Sequence, residues 1–216
     1  MNQATDQGLT PTEIEALFTR TDGQFLCARW GRAICPTVFG VDDATLAVVK
    51  GAFQTVCQNA GHEMGDMDAE LGTNTMVFFF RDWAELIETP DLDKLVPELG
   101  PLVDRLQDAD ASQYRFFRFD KAGAIKAAFA FVRMDRAMSK LPAETIALSQ
   151  AVQTILLWSD QAFTARPALA TTPDGATVVQ PEIAQVIRAA YDPVLPSVSD
   201  QPTHALRLSA RIAMQP

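Results

Sequence analysis

The sequence predicts an α+β fold, a single domain with a mixed sheet of about four strands packed against helices and covered mainly on one face. Three observations predict it. Helix-like and strand-like segments follow in the order helix, strand, helix, strand, helices, hairpin, helix, helices. One stretch, Tyr114 to Arg133, alternates and turns as a β-hairpin does. At 216 residues the chain is long enough to bury about 70% of its extended surface, so one core forms without staples.

The elements follow in order. Thr10-Pro11-Thr12-Glu13 is a capping box with Pro at the first helical position, which predicts a short helix to about Arg20. Ala33 to Phe39 reads as a strand closed by Gly40, and Pro36 places it at an edge or a bulge. Asp42 or Asp43 caps a long helix through Ala60, ended by Gly61, with Leu46, Val49, Phe53 and Cys57 on its apolar stripe. Thr75 to Phe80 is an apolar run of buried-strand length. Trp83 to Gln107 reads as helical stretches broken near Pro90 and near Gly100-Pro101. The hairpin pairs Tyr114–Phe119 with Ala124–Arg133 around Asp120-Lys121-Ala122-Gly123. Pro142 opens a helix to Leu157, a weak hairpin surrounds Thr172 to Gly175, and helices cover Pro181–Tyr191 and about Thr203–Met214. Residues 1–24 form an N-terminal helix and extension, and residues 25–216 the α+β domain.

Charge bounds the partners. With 18 basic and 27 acidic residues the chain carries −9, and no concentrated basic face is visible to displace counterions from phosphates. Nucleic acid and anionic membrane surfaces are therefore disfavoured. No apolar run approaches the ~20 residues of a membrane helix. The first residues have neither a basic nor an apolar signal region, so a cytoplasmic location is expected. Cys27, Cys35 and Cys57 form no CxxC pair and are odd in number, which suits reduced thiols. Thirteen Phe against two Tyr suggest an aromatic core rather than an aromatic surface.

Several segments invite a chemical reading, and each meets an objection. His62-Glu63 opens like a zinc-protease motif, yet Asp66 stands where the second His belongs and Gly61 and Gly65 make it an exposed loop. Asp66, Asp68 and Glu70 alternate as carboxylates, but Leu71 and Val77 occupy the positions a calcium loop gives to Gly and Glu. A Cys27–Cys35–Cys57–His62 zinc site fits no compact spacing, and a Cys57–His62 nucleophilic pair lacks an orienting group. Tyr114 to Phe119 interleaves aromatics with Arg115 and Arg118 as RNA-stacking sheets do, without the glycines of that motif. His204 reads as an ordinary surface residue. On the helix from Pro142, Leu148, Val152, Ile155 and Leu156 form one apolar stripe that Ala147, Ala151 and Trp158 extend, a breadth that predicts burial. On it Ser149, Gln150 and Gln153 form a small polar cluster, because residues four apart lie about 40° apart. Such a cluster means an internal hydrogen-bond network or the site of a former or present activity.

With Trp30, Pro36 and Gly40 early, Tyr191-Asp192-Pro193 late, and Ser149-Gln150-x-x-Gln153 followed by Asp160, the chain resembles a family of uncharacterised proteobacterial proteins with a zincin-like domain. The likeness spans about residues 25–195. That family carries His-Glu-x-x-Gln on the key helix with an Asp seven residues beyond. Here Gln153 and Asp160 match, whereas Ser149 and Gln150 replace the His and Glu. A hydroxyl and neutral amides are poor zinc ligands, and Gln150 cannot serve as a general base. The resemblance thus implies a degenerate metallopeptidase-like fold without cofactor, whose cluster of Ser149, Gln150, Gln153 and Asp160 binds a protein or peptide rather than performing catalysis. An exposed sheet edge gives peptide binding a physical basis, and the edge opposite Pro36 is the better acceptor. Two alternatives stay open: a metal-dependent hydrolase built on His62, Glu63, Asp66 and Asp68, and a small-molecule-binding domain with an apolar pocket.

Overall fold

The structure, a computed structural model, describes residues 8–215. Helix α1 (Pro11–Ala16) starts at the expected box, with the Thr10 hydroxyl accepting from the Glu13 amide and Glu13 reaching back to Thr10. It stops short of Arg20 because the chain folds back there, pairing Thr19 with Phe25 and giving the Arg20 amide to Gln24. Strand β1 (Cys27–Ala28) follows, then β2 (Pro36–Phe39) and α2 (Asp43–Ala60). Asp42 accepts the Thr45 amide at 2.7 Å, and Gly61 closes the helix in the left-handed conformation. Strand β3 (Thr75–Phe80) leads through a one-turn 3-10 helix (Trp83–Leu86) to α3 (Leu92–Leu95) and α4 (Leu99–Asp108). Gly100-Pro101 therefore lie inside the first turn of α4 rather than at a break. The first amides of a helix have no intrahelical acceptor, so a proline there removes nothing.

Strands β4 (Gln113–Phe119) and β5 (Ile125–Arg133) form the hairpin, and α5 (Ala143–Ile155) follows Pro142. Strands β6 (Leu169–Thr171) and β7 (Thr177–Val179) make the small second hairpin. Helix α6 (Pro181–Ala190), strand β8 (Val198–Ser199) and helix α7 (His204–Ile212) complete the described chain. The main sheet has the order β2-β3-β5-β4, with β2, β3 and β5 parallel and β4 antiparallel. Its edges are β2, where Pro36 takes the first position, and β4. A two-residue pairing of β1 with β8 has no sequence pattern to announce it.

The sheet is covered on both faces, not mainly on one, and β5 shows why. Ala128 and Ala130 face α2 and α5, where small side chains let the helices approach; Phe129 and Phe131 face the α3–α4 side. On that second side Phe39, Phe78 and Phe131 stack from strand to strand at 4.6 and 5.1 Å, and Tyr114 continues the row at 6.5 Å. A strand buried on both faces reads as a continuous apolar run, as β5 does. Ile14 and Phe18 from the N-terminal segment belong to the same core as α2 and α5.

Candidate functional site

The C-terminal end of α5 sets the site. This helix has no glycine cap; Leu156 leaves it fully extended. Its last carbonyls are instead met by aromatic donors. The Trp158 indole donates to Val152 at 2.8 Å, the Trp30 indole to Thr154 at 2.9 Å, and the Tyr191 hydroxyl to Ile155 at 2.8 Å. Tyr191 also accepts the Trp30 amide. Trp30 and Tyr191, 161 residues apart, thus converge on the helix that carries Ser149, Gln150 and Gln153.

Those three residues meet a partner that the sequence marks only within the RNA-stacking-like segment Tyr114 to Phe119. Arg115, on β4, donates from Nη2 to Gln150 Oε1 at 2.5 Å and from Nη1 to Gln153 Oε1 at 3.0 Å. An arginine only donates, so both amide oxygens must face it and both amide nitrogens must turn away. They do: Gln150 Nε2 donates to Gln113 Oε1 at 3.0 Å, and Gln153 Nε2 to Ser149 Oγ at 2.7 Å. Gln150 is completely buried. Among the described residues no carboxylate pairs with Arg115, and its buried Nε has no acceptor. Burial pushes the guanidinium pKa down to about 10, which leaves it charged at neutral pH. The signal available in the sequence was parity: period two places Arg115 on the face of Gln113 and Phe117, toward α5.

Arg115 and Gln153 line a groove of about 730 Å³. One wall is β4, whose residues Gln113 to Phe117 all border it, both side-chain parities included. The groove therefore runs along the strand's backbone edge. The other wall is the segment after α5, with Leu157, Trp158, Ser159, Asp160 and Phe163, joined by Arg20. That wall is fixed. Leu157 and Ser159 donate amides to Ala28 and Leu17, Trp158 stacks on Phe18 at 5.2 Å, and the exposed Asp160 accepts from the amide and hydroxyl of Thr21. A smaller cavity of about 220 Å³ flanks β4 on its opposite face, between Tyr114, Phe116, Val96, Pro97, Pro101 and Leu102, with the charged Glu98 and Arg105 also on its lining.

The backbone of β4 is open along this groove, and the register shows which groups are free. Ala128 gives its amide to Asn74 on the β3 side at 2.9 Å, so its partner Phe117 turns its own N–H and C=O away from β5. Ser112 accepts the Arg133 amide, which puts even-numbered residues in hydrogen-bonded pairs and odd-numbered ones outside. Gln113, Arg115 and Phe117 accordingly present their amides at the edge, and none has a partner among the described residues.

The other candidates are committed elsewhere. His62 is half-buried rather than exposed: its Nε2 lies 2.9 Å from the Arg32 carbonyl and its ring packs on Tyr191 at 4.8 Å. Burial holds its pKa below the ordinary imidazole value. Asp68 accepts the Glu70 and Leu71 amides and the Asn74 side chain, while Arg32 bridges Asp68 and Glu70. Glu63 and Asp66 are exposed. Among the described residues no three His, Cys, Asp or Glu side chains come together as a metal site would require. The three thiols are buried and unpaired, and burial pushes Cys27 and Cys57 up to about 12, far from a reactive thiolate. His204 is not a surface residue; it is 3% exposed, with Nδ1 lacking a partner. Phe116 stacks on Phe129 at 4.6 Å and Arg118 lies over the Phe129 ring, so the β4 aromatics of that face are packed inward rather than offered to bases.

Among the described residues no helix is long and apolar enough to cross a membrane. Compared with models of known families, with curated proteins and with solved structures, the chain finds no match in any of the three.

Proposed function

We propose that this chain is a non-catalytic, cytoplasmic binding module with a degenerate zincin-like, metallopeptidase-like fold, and that it captures an extended segment of a partner protein along β4. The observation that carries the reading is the open edge of β4: three outward amides beside a groove, with a second cavity on the opposite face. A strand added there gains main-chain hydrogen bonds, and its alternate side chains fall to the two cavities. The walls need little rearrangement, since the Trp158 stack and the Ser159 and Asp160 bonds already hold them.

The degenerate motif supports the non-catalytic part. At the positions where the family has His and Glu stand Ser149 and Gln150, and the Gln150 and Gln153 oxygens are spent on a guanidinium. A cation already sits against that helix face, so the donor set does not fit zinc. Unpaired thiols suit a reducing compartment.

The test is an array of extended, unstructured peptides probed with the full chain, with hits confirmed by fluorescence anisotropy. Binding at micromolar concentration that competes between hits is expected. An array with no binder at that concentration, or hits indifferent to one another, removes β4 as a capture strand.

A further inference from the structure

We infer that the β4 groove selects an acidic side chain: its ligand is an extended peptide with Asp or Glu opposite Arg115. This rests on the reading of β4 as a capture strand and adds the chemistry of the captured sequence.

The register supplies the geometry. Arg115 is one of the outward-facing residues, and its side chain points to the α5 face. A residue paired with it on an added strand projects to the same face, with Cβ atoms about 4.5–5.5 Å apart, the distance of a cross-strand ion pair. Its two neighbours project to the opposite face, toward the cavity that Tyr114, Phe116, Pro97 and Leu102 line together with Glu98 and Arg105.

Charge supplies the selectivity. The chain carries −9 overall, yet this groove is bordered by Arg115 and Arg20 against the one carboxylate of Asp160, which Thr21 already occupies. Neither arginine has an ion-pair partner among the described residues. Arg115 spends one donor of each Nη group on a glutamine oxygen and keeps the second hydrogen of each for a ligand, while its Nε is buried without an acceptor. Neutral amides can solvate a buried cation but do not neutralise it, so an incoming carboxylate meets a prepared site. A captured acid also avoids the repulsion that the rest of an acidic surface imposes.

The experiment uses the full chain and acetylated, amidated heptapeptides with a central glutamate between valines, read by fluorescence anisotropy. Expected is roughly tenfold or greater loss of affinity when the glutamate is replaced by glutamine. The glutamate peptide should also weaken at high salt, and Arg115→Gln should remove the preference between the two peptides. Equal binding of both peptides by the unaltered protein overturns the acidic preference while leaving β4 capture standing. Binding of neither removes both readings. Tighter binding of an acid-free peptide with an unblocked C-terminus assigns the site to a terminal carboxylate and overturns the side-chain proposal. Concentration-dependent dimerisation that competes with the peptide gives the edge to a second copy of the chain and overturns it equally. Because the first comparison varies only the peptide, it stands even if Arg115→Gln fails to fold.

Discussion

Arg115 keeps its charge in a buried setting because Gln150 and Gln153 turn their oxygens to it, and Gln113 and Ser149 then satisfy the amide nitrogens left behind. The polar cluster on α5 was legible from the sequence, since four-residue spacing places Ser149 and Gln153 side by side. Its partner was not, because strand pairing sets which element crosses the helix. His204 looks like a surface residue in the sequence for a related reason: nothing in its own helix announces that α7 packs it inward. That burial has a measurable consequence. Desolvation lowers the pKa of both His204 and His62, so the folded state resists the proton that the unfolded chain accepts near 6.5. Stability from these groups is complete above about 6.5 and is lost as pH falls through their depressed folded values. Urea midpoints should therefore drop between pH 7.5 and 5.5, and His204→Gln should flatten the slope; a midpoint constant across that interval contradicts the burial. Two glycines give a second contrast. A Cβ at Gly40, φ +79°, would lie 2.0 Å from the Phe79 carbonyl oxygen, whereas one at Gly61, φ +64°, would meet nothing within 4 Å. Gly40→Ala should cost about 3 kcal/mol or more, and Gly61→Ala about 1–2, by chemical denaturation.

Among the elements, α5 depends on side chains that lie far from it in sequence. Trp30, Tyr191 and Trp158 cap three of its last carbonyls, work that a glycine turn does for α2 at Gly61. The boundaries of α2 are readable because its caps are local; α5 ends at Ile155, two residues before the Leu157 that its sequence pattern suggests, because its caps are not. Tyr191→Phe removes one hydroxyl and leaves the Ile155 carbonyl and Trp30 amide without their partner. It should destabilise the protein by about 1–3 kcal/mol and speed amide exchange at the end of α5 and the start of the groove wall. Unchanged stability would mean that the hydroxyl is dispensable. The hairpin and β3 were legible from apolar alternation and run length. The order of elements suggests cover on one sheet face, whereas the unbroken apolar run from Ala127 to Val132 signals the burial on both sides that the structure has.

At the scale of the whole molecule, an acidic chain encloses a groove of opposite sign beside a strand with free amides. Natural sheets usually blunt such an edge; here β2 is blunted by Pro36, while β4 is bordered by a walled groove. On the proposed reading Gln113, Arg115 and Phe117 offer their amides to an incoming strand. Residue-resolved amide hydrogen exchange by NMR, with and without the glutamate heptapeptide, tests it most directly. In the free protein Tyr114, Phe116 and Arg118 should be protected and the three odd-numbered amides should exchange quickly. Adding peptide should slow Arg115 and Phe117 by tenfold or more, roughly, and leave the even-numbered amides unchanged. If the odd-numbered amides are already protected in the free chain, or stay fast when peptide is bound, β4 is not the capture strand.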